Sequence, residues 1–370
     1  MKKSEQEINC VDSVKSRITR HRELSTLTGK DFTTDKKFQN QVIKSISSDS
    51  RRVNPGAAFF AIPGIRTNGD LHIQEALNRG AKVIVSQSDE VSVPLGVTRI
   101  KVADARKSMA KFTKKFYDSP DESLSLIGIT GTNGKTTVST LTRHLLEEPG
   151  CPVGLIGTVQ YNLGDRDVPS FKTTPEATDL YPMLKSMLAA GCSSSVMEIS
   201  SHGIHQLRVN GISLEIAVFT NLTRDHLDYH GSMEEYYQEK RKLFNGMNGP
   251  LPKVAVINGD CPYGKRLIQE LPPQVQVLTF GFEAGNQFCA KNLTLDAEGS
   301  KFVMESPLGN TVVASPLIGR YNVSNVLASF AIMHAMGKSV VESIHKLRSF
   351  KGCLLYTSDA ADDSLRVDLG

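Results

Sequence analysis

Residues 124–137 have the sequence LSLIGITGTNGKTT, in which an apolar run is followed directly by a glycine-rich turn. Val138, Leu141 and Leu145 then follow at helical spacing. A strand, a glycine-rich turn and a helix start are the parts of a phosphate-binding loop, in which backbone N–H groups approach phosphate oxygens. The stretch therefore predicts a nucleotide-binding α/β domain.

Two side chains of this loop carry its predicted chemistry. Lys135 is expected on the β- and γ-phosphates, and the hydroxyl of Thr136 on Mg²⁺. The strict pattern has a glycine at the position of Ile129, so the loop is a shortened variant. The alternative is a plain glycine-rich turn, but the position of the loop between an apolar strand and a helix favours nucleotide binding.

Length and composition indicate a soluble globular chain of two or three domains. The 370 residues are too many for one ordinary domain, and 39% of them are hydrophobic and 22% charged. A net charge of +4 argues against a large nucleic-acid surface. The six cysteines form no CxxC pair, which favours reduced thiols over a zinc site. Because the pattern shows neither a signal peptide nor a membrane span, we expect a cytoplasmic protein without membrane partners.

The order of the predicted elements indicates two α/β parts joined by a polar linker at 117–123. In both parts strands alternate with helices, which indicates a small α/β unit in the first part. In the central part the alternation predicts a mostly parallel sheet with helices on both faces. The predicted strands are 42–46, 57–62, 83–85, 99–102, 153–156, 195–199, 216–220 and 254–257. The predicted helices are 73–77, 108–117, 179–190, 233–244 and a last helix at 322–336. Residues 277–315 are predicted to be antiparallel.

Polar residues follow two of the apolar strands of the central part. Glu198 ends one strand, and in an open parallel sheet ligands lie beyond the carboxyl ends of the strands. Glu198 is thus a candidate Mg²⁺ ligand or water positioner, the alternative being a solvent-facing glutamate. His226 follows the second strand and could ligate a cation, although a lone histidine more often makes a structural hydrogen bond. Its neighbours Asp225, Asp228 and His230 are expected to orient it rather than to bind the cation.

Two other stretches are ambiguous by their residues alone. Lys240 lies in the helix after this cluster, and a bare ammonium cannot bind a metal, so the residues alone predict a solvated lysine. The loop 172–175 (KTTP) precedes a helix, where hydroxyls could hold a carboxylate or phosphate or could form an ordinary N-cap.

Taken together, five stretches resemble the Mur ligase family of peptidoglycan synthesis, and among its members those that add the third amino acid. The resemblance covers roughly residues 43–352. The stretches are DSR at 49–51, TGTNGKTT at 130–137, MEISSH at 197–202, TNLTRDHLDYHG at 220–231 and GRYNVSN at 319–325.

The resemblance implies a fold and a reaction. It implies an α/β chain with a small N-terminal UDP-binding domain at 1–119 and a central ATP-binding domain with a parallel sheet at 120–345. ATP would phosphorylate the free carboxylate of UDP-N-acetylmuramoyl-L-alanyl-D-glutamate. A diamino acid, meso-diaminopimelate or L-lysine, would then attack the acyl phosphate. ATP and Mg²⁺ are the implied cofactors, and a monomer without a nucleic-acid partner is expected.

The resemblance also implies residue roles. Lys135, Lys240, Glu198 and His226 would be catalytic, with Lys240 carbamylated by CO₂. Mg²⁺ would be held by Thr136, Glu198, His226 and Lys240. ATP would contact Gly131, Thr132, Asn133, Gly134, Lys135, Thr136 and Thr137, and, near its adenine or ribose, Asn322 and Asn325. Uridine contacts would come from Ser48, Ser50, Ile65, Arg66 and Thr67. The muramoyl-peptide would contact Thr173, Thr174, Ser200, Gln206 and Arg208.

The chain departs from the family pattern after Gly352. The family's third, Rossmann-like domain is expected to begin near residue 346, and its arginine-bearing segment should follow Gly352. Residues 353–363 have the sequence CLLYTSDAADD instead. We therefore expect a truncated C-terminal domain at 346–370 with a foreign tail from Cys353.

Three interpretations of function remain open from the sequence. The first is the ATP-dependent amide ligase. The second is an inactive nucleotide-binding fragment. The third is a ligase like folylpolyglutamate synthase, which shares the phosphate loop but against which the histidine-rich stretch 225–230 weighs.

Overall fold

The computed structural model describes residues 21–27, 41–64 and 68–352. The chain divides into two compact units. The first holds residues up to Ser123 together with Pro175–Ser186 and His205–Gly211, and the second holds the rest. The predicted boundary after residue 119 differs from this division by a few residues. The two later segments of the first unit fall in what the sequence predicted as central domain.

The first unit contains a four-stranded parallel sheet in the order β3-β4-β5-β6 and a short antiparallel pair, β1 with β2. Its strands are β1 Arg22–Glu23, β2 Val42–Ile43, β3 Ser45–Ser47, β4 Ala57–Phe60, β5 Val83–Ser86 and β6 Thr98–Lys101. Its helices are α1 Leu24–Leu27, α2 Ile73–Asn78 and α3 Ala105–Phe116, with 3₁₀ turns at Ser50–Arg52, Gly69–His72 and Pro120–Glu122. The single strand predicted at 42–46 is therefore two strands with a break at Lys44.

The second unit is built on an eleven-stranded sheet in the order β10-β9-β8-β11-β7-β12-β13-β14-β15-β16-β17. Its strands are β7 Ser125–Thr130, β8 Val153–Ile156, β9 Gln160–Asn162, β10 Asp167–Pro169, β11 Ser194–Glu198, β12 Ile216–Phe219, β13 Val254–Asn258, β14 Gln276–Gly281, β15 Phe288–Asp296, β16 Gly299–Ser306 and β17 Gly309–Ser315. The remaining helices are α4 Lys135–Leu146, α5 Ala177–Ala189, α6 Ser201–His205, α7 Leu227–His230, α8 Met233–Arg241, α9 Pro262–Glu270, α10 Arg320–Ala335 and α11 Val340–Leu347.

The middle of this sheet is parallel, from β8 through β11, β7, β12, β13 and β14 to β15. This confirms the predicted α/β class and central parallel sheet. The prediction that residues 277–315 are antiparallel is wrong for β14, which pairs in parallel with both of its neighbours. Strand β14 is short, and its apolar residues are interspersed with polar ones as in an edge strand. This pattern does not reveal the direction of the strand. Helix α10 is also not the last, because α11 follows it.

The core of the second unit forms where α4 and α10 pack on the sheet. Val138, Leu141 and Leu145 of α4 are buried, as their spacing predicted. Helix α10 is apolar on most of its faces, and eleven of its sixteen residues are buried, which fixes the helix on the sheet. Within the described residues, no helix is long and apolar enough to cross a membrane.

The parallel register brings several strand ends to one edge. Glu198 at the end of β11 pairs with Ile129 of β7, and Phe219 at the end of β12 pairs with Thr130. The residues that follow β8, β11, β7 and β12 therefore emerge side by side, which is where ligands bind in open parallel sheets.

Candidate functional site

The phosphate-binding loop follows β7 and ends at the first turn of α4. Gly131 and Gly134 have φ of 151° and 87°, a region that favours glycine. A Cβ on Gly131 would lie 1.9 Å from Thr220 Oγ1, and one on Gly134 would lie 2.4 Å from Asn325 Oδ1. Both glycines are therefore required by backbone conformation and by close neighbours.

The segment after β12 holds the loop in shape. The amide of Thr132 donates to Asn221 O at 3.0 Å, and that of Asn133 to Asn221 Oδ1 at 3.0 Å. Thr220 Oγ1 donates to Asn133 O at 2.6 Å. The first helical hydrogen bond of α4 runs from Val138 N to Gly134 O. The backbone amides before Val138 therefore point out of the helix end, where an anion can accept hydrogen bonds from them.

Lys135 lies folded onto its own loop. Its ammonium donates to Gly131 O at 3.0 Å and to Thr132 O at 2.7 Å. Burial lowers the pKa of this amine, while the carboxylates of Glu198 and Asp225 oppose the shift. A phosphate accepting from Lys135 would replace these two carbonyls as its partners.

Glu198 is the centre of a dense set of donors. Thr136 Oγ1 donates to Glu198 Oε2 at 2.9 Å, and Ser139 Oγ to Oε1 at 3.3 Å. Thr158 donates twice, from its amide to Oε1 at 3.0 Å and from its hydroxyl to Oε2 at 2.8 Å. The side chain is only 1% exposed, which rules out the alternative of a solvent-facing glutamate.

Thr158 and Ser139 are site residues that the sequence analysis missed. Thr158 follows the apolar strand β8 directly after Gly157, at the same sheet edge as Glu198, so its position beyond a parallel strand could have identified it. A Cβ on Gly157 would lie 2.5 Å from Glu198 Oε1, which leaves room only for glycine beside the carboxylate.

The loop 172–175 lies against the end of β11. Thr174 Oγ1 donates to Glu198 O at 3.0 Å and accepts from Ser200 N at 2.9 Å, and it lies 3.2 Å from Ser200 Oγ. Thr173 Oγ1 lies 3.0 Å from Thr158 Oγ1. The structure thus brings the predicted residues Thr173, Thr174 and Ser200 together beside Glu198.

Lys240 is buried, although the residues alone predicted a solvated lysine. It is 1% exposed, and its ammonium donates to Gly131 O at 3.0 Å. Burial, reinforced by the charge of Lys135, holds the pKa of this amine well below its usual value, against an opposing effect of Asp225. Lys135 and Lys240 thus meet on one loop carbonyl, and burial favours the neutral form of Lys240 over its ammonium.

His226 lies at the rim of the site with a left-handed backbone, φ 51°. Its side chain is 49% exposed, and its Nε2 lies 3.3 Å from Asp225 Oδ2. Its ring lies 4.9 Å from that of His202. In the part of the chain that the structure describes, no three His, Cys, Asp or Glu side chains are grouped to hold a metal ion.

The side-chain oxygens of Thr136 and Glu198 nevertheless suit Mg²⁺ as ligands. The hydroxyl of Thr136 and the carboxylate of Glu198 are hydrogen-bonded to each other, and hydroxyl and carboxylate oxygens are the ligands that this ion prefers. A cavity of about 360 Å³ borders both residues and extends to residues 349–352. The donor chemistry therefore fits Mg²⁺ at Thr136 and Glu198, with His226 and Lys240 as further candidates.

Asn322 and Asn325 lie in the first turns of α10. Asn325 Nδ2 donates to Asn322 Oδ1 at 3.3 Å, and Asn322 Nδ2 to Ile318 O at 2.8 Å. Since Asn325 Oδ1 is the atom closest to a Cβ built on Gly134, Asn325 borders the phosphate loop, and Asn322 is hydrogen-bonded to it.

The predicted uridine contacts and two of the predicted peptide contacts, Gln206 and Arg208, belong to the first unit. Ser50 is buried and donates to Glu75 Oε2 at 2.6 Å, while Ser48 is half-buried. Arg208 Nε lies 3.0 Å from Glu176 Oε1, and its guanidinium also donates to the side-chain oxygen of Gln206. The predicted contacts Ile65, Arg66 and Thr67, and the tail from Cys353, lie outside the described residues.

Two family models match the chain. The model of the Mur ligase family catalytic domain matches residues 42–117, and that of the Mur ligase middle domain matches residues 129–333. The second match alone covers more than half of the chain and includes the phosphate loop, Glu198, His226, Lys240 and both asparagines of α10.

Two curated relatives share one name. A protein of Geobacter metallireducens, named UDP-N-acetylmuramoyl-L-alanyl-D-glutamate–2,6-diaminopimelate ligase, is 39% identical over 301 residues, which are 80% of this chain and 58% of the relative. A protein of the same name from Thermosynechococcus vestitus is 39% identical over 313 residues, 85% of this chain and 62% of the relative. The chain thus spans about three fifths of the length of these relatives.

A solved structure of a ligase with this name resembles the whole described architecture. It superimposes with a TM-score of 0.79 at 29% identity, covering 91% of this chain and 68% of the other.

Proposed function

Because the chain belongs to the Mur ligase family, we propose that it catalyses ATP-dependent amide formation between UDP-N-acetylmuramoyl-L-alanyl-D-glutamate and a diamino acid. The observation that carries the proposal is the hydrogen bond between Thr136 of the phosphate loop and the buried carboxylate of Glu198. This bond places a phosphate-binding turn and an anionic oxygen ligand beside each other. The names of the curated relatives favour meso-diaminopimelate as the amine, with L-lysine as the second candidate.

The chemistry has two steps. An oxygen of the substrate carboxylate attacks the γ-phosphorus of ATP, and the bond to the leaving ADP breaks. The amine of the diamino acid then attacks the carbonyl carbon, so a C–N bond forms while the C–O bond to phosphate breaks and the nitrogen loses a proton. A carboxylate is a poor electrophile, and phosphorylation gives it a leaving group. The site must therefore hold several anions together.

The phosphate loop supplies most of that binding. Its free amides at the start of α4 would donate hydrogen bonds to phosphate oxygens, and Lys135 would move from Gly131 O and Thr132 O onto the phosphates. Thr136 and Glu198 would hold Mg²⁺, which when bound would neutralise charge on the transferring group. Asn322 and Asn325 would lie close to the nucleoside.

Lys240 is suited to carbamylation. Its neutral amine can attack CO₂, so that an N–C bond forms and a proton leaves. The product is an anion, whereas the ammonium is a cation buried beside the cation Lys135. The change therefore turns a repulsive pair into an attractive one and adds an oxygen ligand near the phosphate loop. His226 at the rim would be a further ligand.

The remaining contacts define the sugar-nucleotide side of the site. Thr173, Thr174 and Ser200 would meet the muramoyl-peptide next to Glu198. Ser48, Ser50, Ile65, Arg66 and Thr67 would contact uridine, and Gln206 and Arg208 the peptide. We further propose that the protein acts as a monomer in the cytoplasm, where the nucleotide-linked substrate and ATP would be available.

The test is release of phosphate from ATP by the purified full chain. We expect release that requires Mg²⁺, the UDP-linked muramoyl-dipeptide and the amine together, with meso-diaminopimelate and L-lysine compared. Nucleotide binding without release would favour the alternative of an inactive nucleotide-binding fragment. Release that depends on a folate in place of the muramoyl-dipeptide would favour a folylpolyglutamate synthase-like ligase. Failure to bind either ATP or the dipeptide would overturn the proposal.

A further inference from the structure

Tyr236 of α8 contacts both the phosphate loop and Lys240. The side chain is 1% exposed. Its phenol oxygen lies 3.3 Å from Thr132 Oγ1, and the ammonium of Lys240 lies 4.6 Å from the centre of its ring. Tyr236 and Lys240 are four residues apart on one helix, so they share a face, and that face is turned toward the loop.

The ring of Tyr236 is also in contact with His230. The imidazole of His230 stacks on it, with ring centres 4.9 Å apart and planes 23° apart. His230 Nε2 in turn lies 2.8 Å from Ser201 Oγ, in the helix that follows Glu198. The ring therefore has little freedom to turn, and its hydroxyl is fixed against the loop.

The phenol stays protonated in this position. Burial raises the pKa of Tyr236, and hydrogen bonds with Thr132 and Ser201 oppose the shift. Thr132 Oγ1 accepts from Thr223 N at 3.0 Å and lies 3.3 Å from Thr223 O. The Thr132 hydroxyl thus joins Tyr236 to the segment after β12, while the backbone carbonyl of Thr132 accepts from Lys135 at 2.7 Å.

We propose that Tyr236 is a positioning residue, whose hydroxyl fixes the phosphate loop at Thr132 and thereby sets nucleotide affinity. The inference rests on the proposed function only in taking ATP as the nucleotide. Because a hydrogen bond holds Thr132 from the α8 side, the loop keeps its carbonyls and amides in register when Lys135 moves onto the phosphates. Without the hydroxyl, part of the binding energy would go into ordering the loop.

The experiment is calorimetric titration of the full chain with a non-hydrolysable ATP analogue and Mg²⁺. Tyr236→Phe removes only the hydroxyl, and we expect the Kd to rise about three- to tenfold, the range of one net hydrogen bond. Tyr237→Phe is the matched control. Tyr237 is equally buried, but its phenol donates to Glu270 Oε2 at 2.8 Å, so its Kd should equal that of the wild type.

A double-mutant cycle separates positioning from general weakening. In Thr132→Val the partner hydroxyl on the loop is absent, so adding Tyr236→Phe should raise the Kd far less than it does in the wild type. An unchanged Kd in Tyr236→Phe, an equal rise in Tyr237→Phe, or a full additive effect in the Thr132→Val background would each overturn the inference. Absence of binding by the wild type would overturn the proposed function as well, whereas the other outcomes leave it standing.

Discussion

Replacing Gly134 by alanine tests whether the phosphate loop is shaped by its contact with α10. The φ of 87° costs a non-glycine residue about 1–2 kcal/mol. The new Cβ would also lie 2.4 Å from Asn325 Oδ1, so the asparagine must move. Moving it breaks its bond to Asn322, worth about 1 kcal/mol. We therefore expect Gly134→Ala to lower the free energy of unfolding by about 2–3 kcal/mol.

The control for this substitution is Gly191→Ala. Gly191 has the same φ of 87°, but nothing lies within 4 Å of a Cβ built on it. Gly191→Ala should therefore lower the free energy of unfolding only by the cost of the backbone conformation, about 1–2 kcal/mol. Urea unfolding followed by far-UV circular dichroism measures both variants, since the chain has no tryptophan to report by fluorescence.

Truncating the neighbour provides the decisive comparison. In an Asn325→Ala background the obstacle to the new Cβ is gone, so Gly134→Ala should cost no more than Gly191→Ala. If Gly134→Ala and Gly191→Ala were equally destabilising in the wild-type background, the contact between the loop and α10 would carry no energy and the reasoning would fail. The nucleotide Kd of Gly134→Ala should rise in parallel with its loss of stability.

Three further predictions concern the buried charges. Thr158→Val removes the hydroxyl donor to Glu198 and should lower the free energy of unfolding by about 1.5–3 kcal/mol. Thr158→Ser keeps a hydroxyl and should retain most of that stability. An equal loss of stability in the two variants would contradict a contribution from this bond. Glu198→Gln should weaken nucleotide binding measured by calorimetry at least about tenfold when Mg²⁺ is present, and should leave binding without Mg²⁺ nearly unchanged. An equal loss of affinity with and without Mg²⁺ would exclude a role of Glu198 in holding the metal. Because the pKa of Lys240 is lowered on folding, the unfolded chain binds more protons below 10.5, so wild-type stability should rise toward that pH. Lys240→Met should flatten that rise in urea unfolding, and an unaltered slope would contradict the burial of a titrating amine.

The sheet and its site-bearing edge could be predicted because they depend on local sequence. The strand Ser194–Glu198 ends in a polar residue, and Ile216–Phe219 is followed directly by polar residues. Parallel strands bring those ends together. That is why the sequence predicted the phosphate loop, Glu198 and the residues after β12 at one edge of the sheet. The direction of β14 was not, since a short apolar strand with polar flanks has the same pattern in either direction.

The partners of Glu198 show what local sequence cannot supply. Thr136 and Ser139 lie one helical turn apart on α4, but Thr158 comes from a different strand end, and only the strand order β8-β11-β7 makes them neighbours. Strand order follows from which crossovers form, which no single stretch encodes. The asparagines of α10 likewise reach Gly134 only because a long apolar helix is fixed on the sheet.

Lys240 shows how a residue with a proposed function can lie hidden in an ordinary helix pattern. Helix α8 has the sequence MEEYYQEKR, and its charges suggest an exposed helix. The informative feature is that Tyr236 and Lys240 are one turn apart, so burial of the aromatic ring takes the lysine with it. A lysine held on the buried face without a carboxylate partner is costly as an ammonium. Its retention there is accounted for if the group works as an amine, or as the carbamate formed from it, and this links the packing of α8 to the chemistry proposed for the phosphate loop.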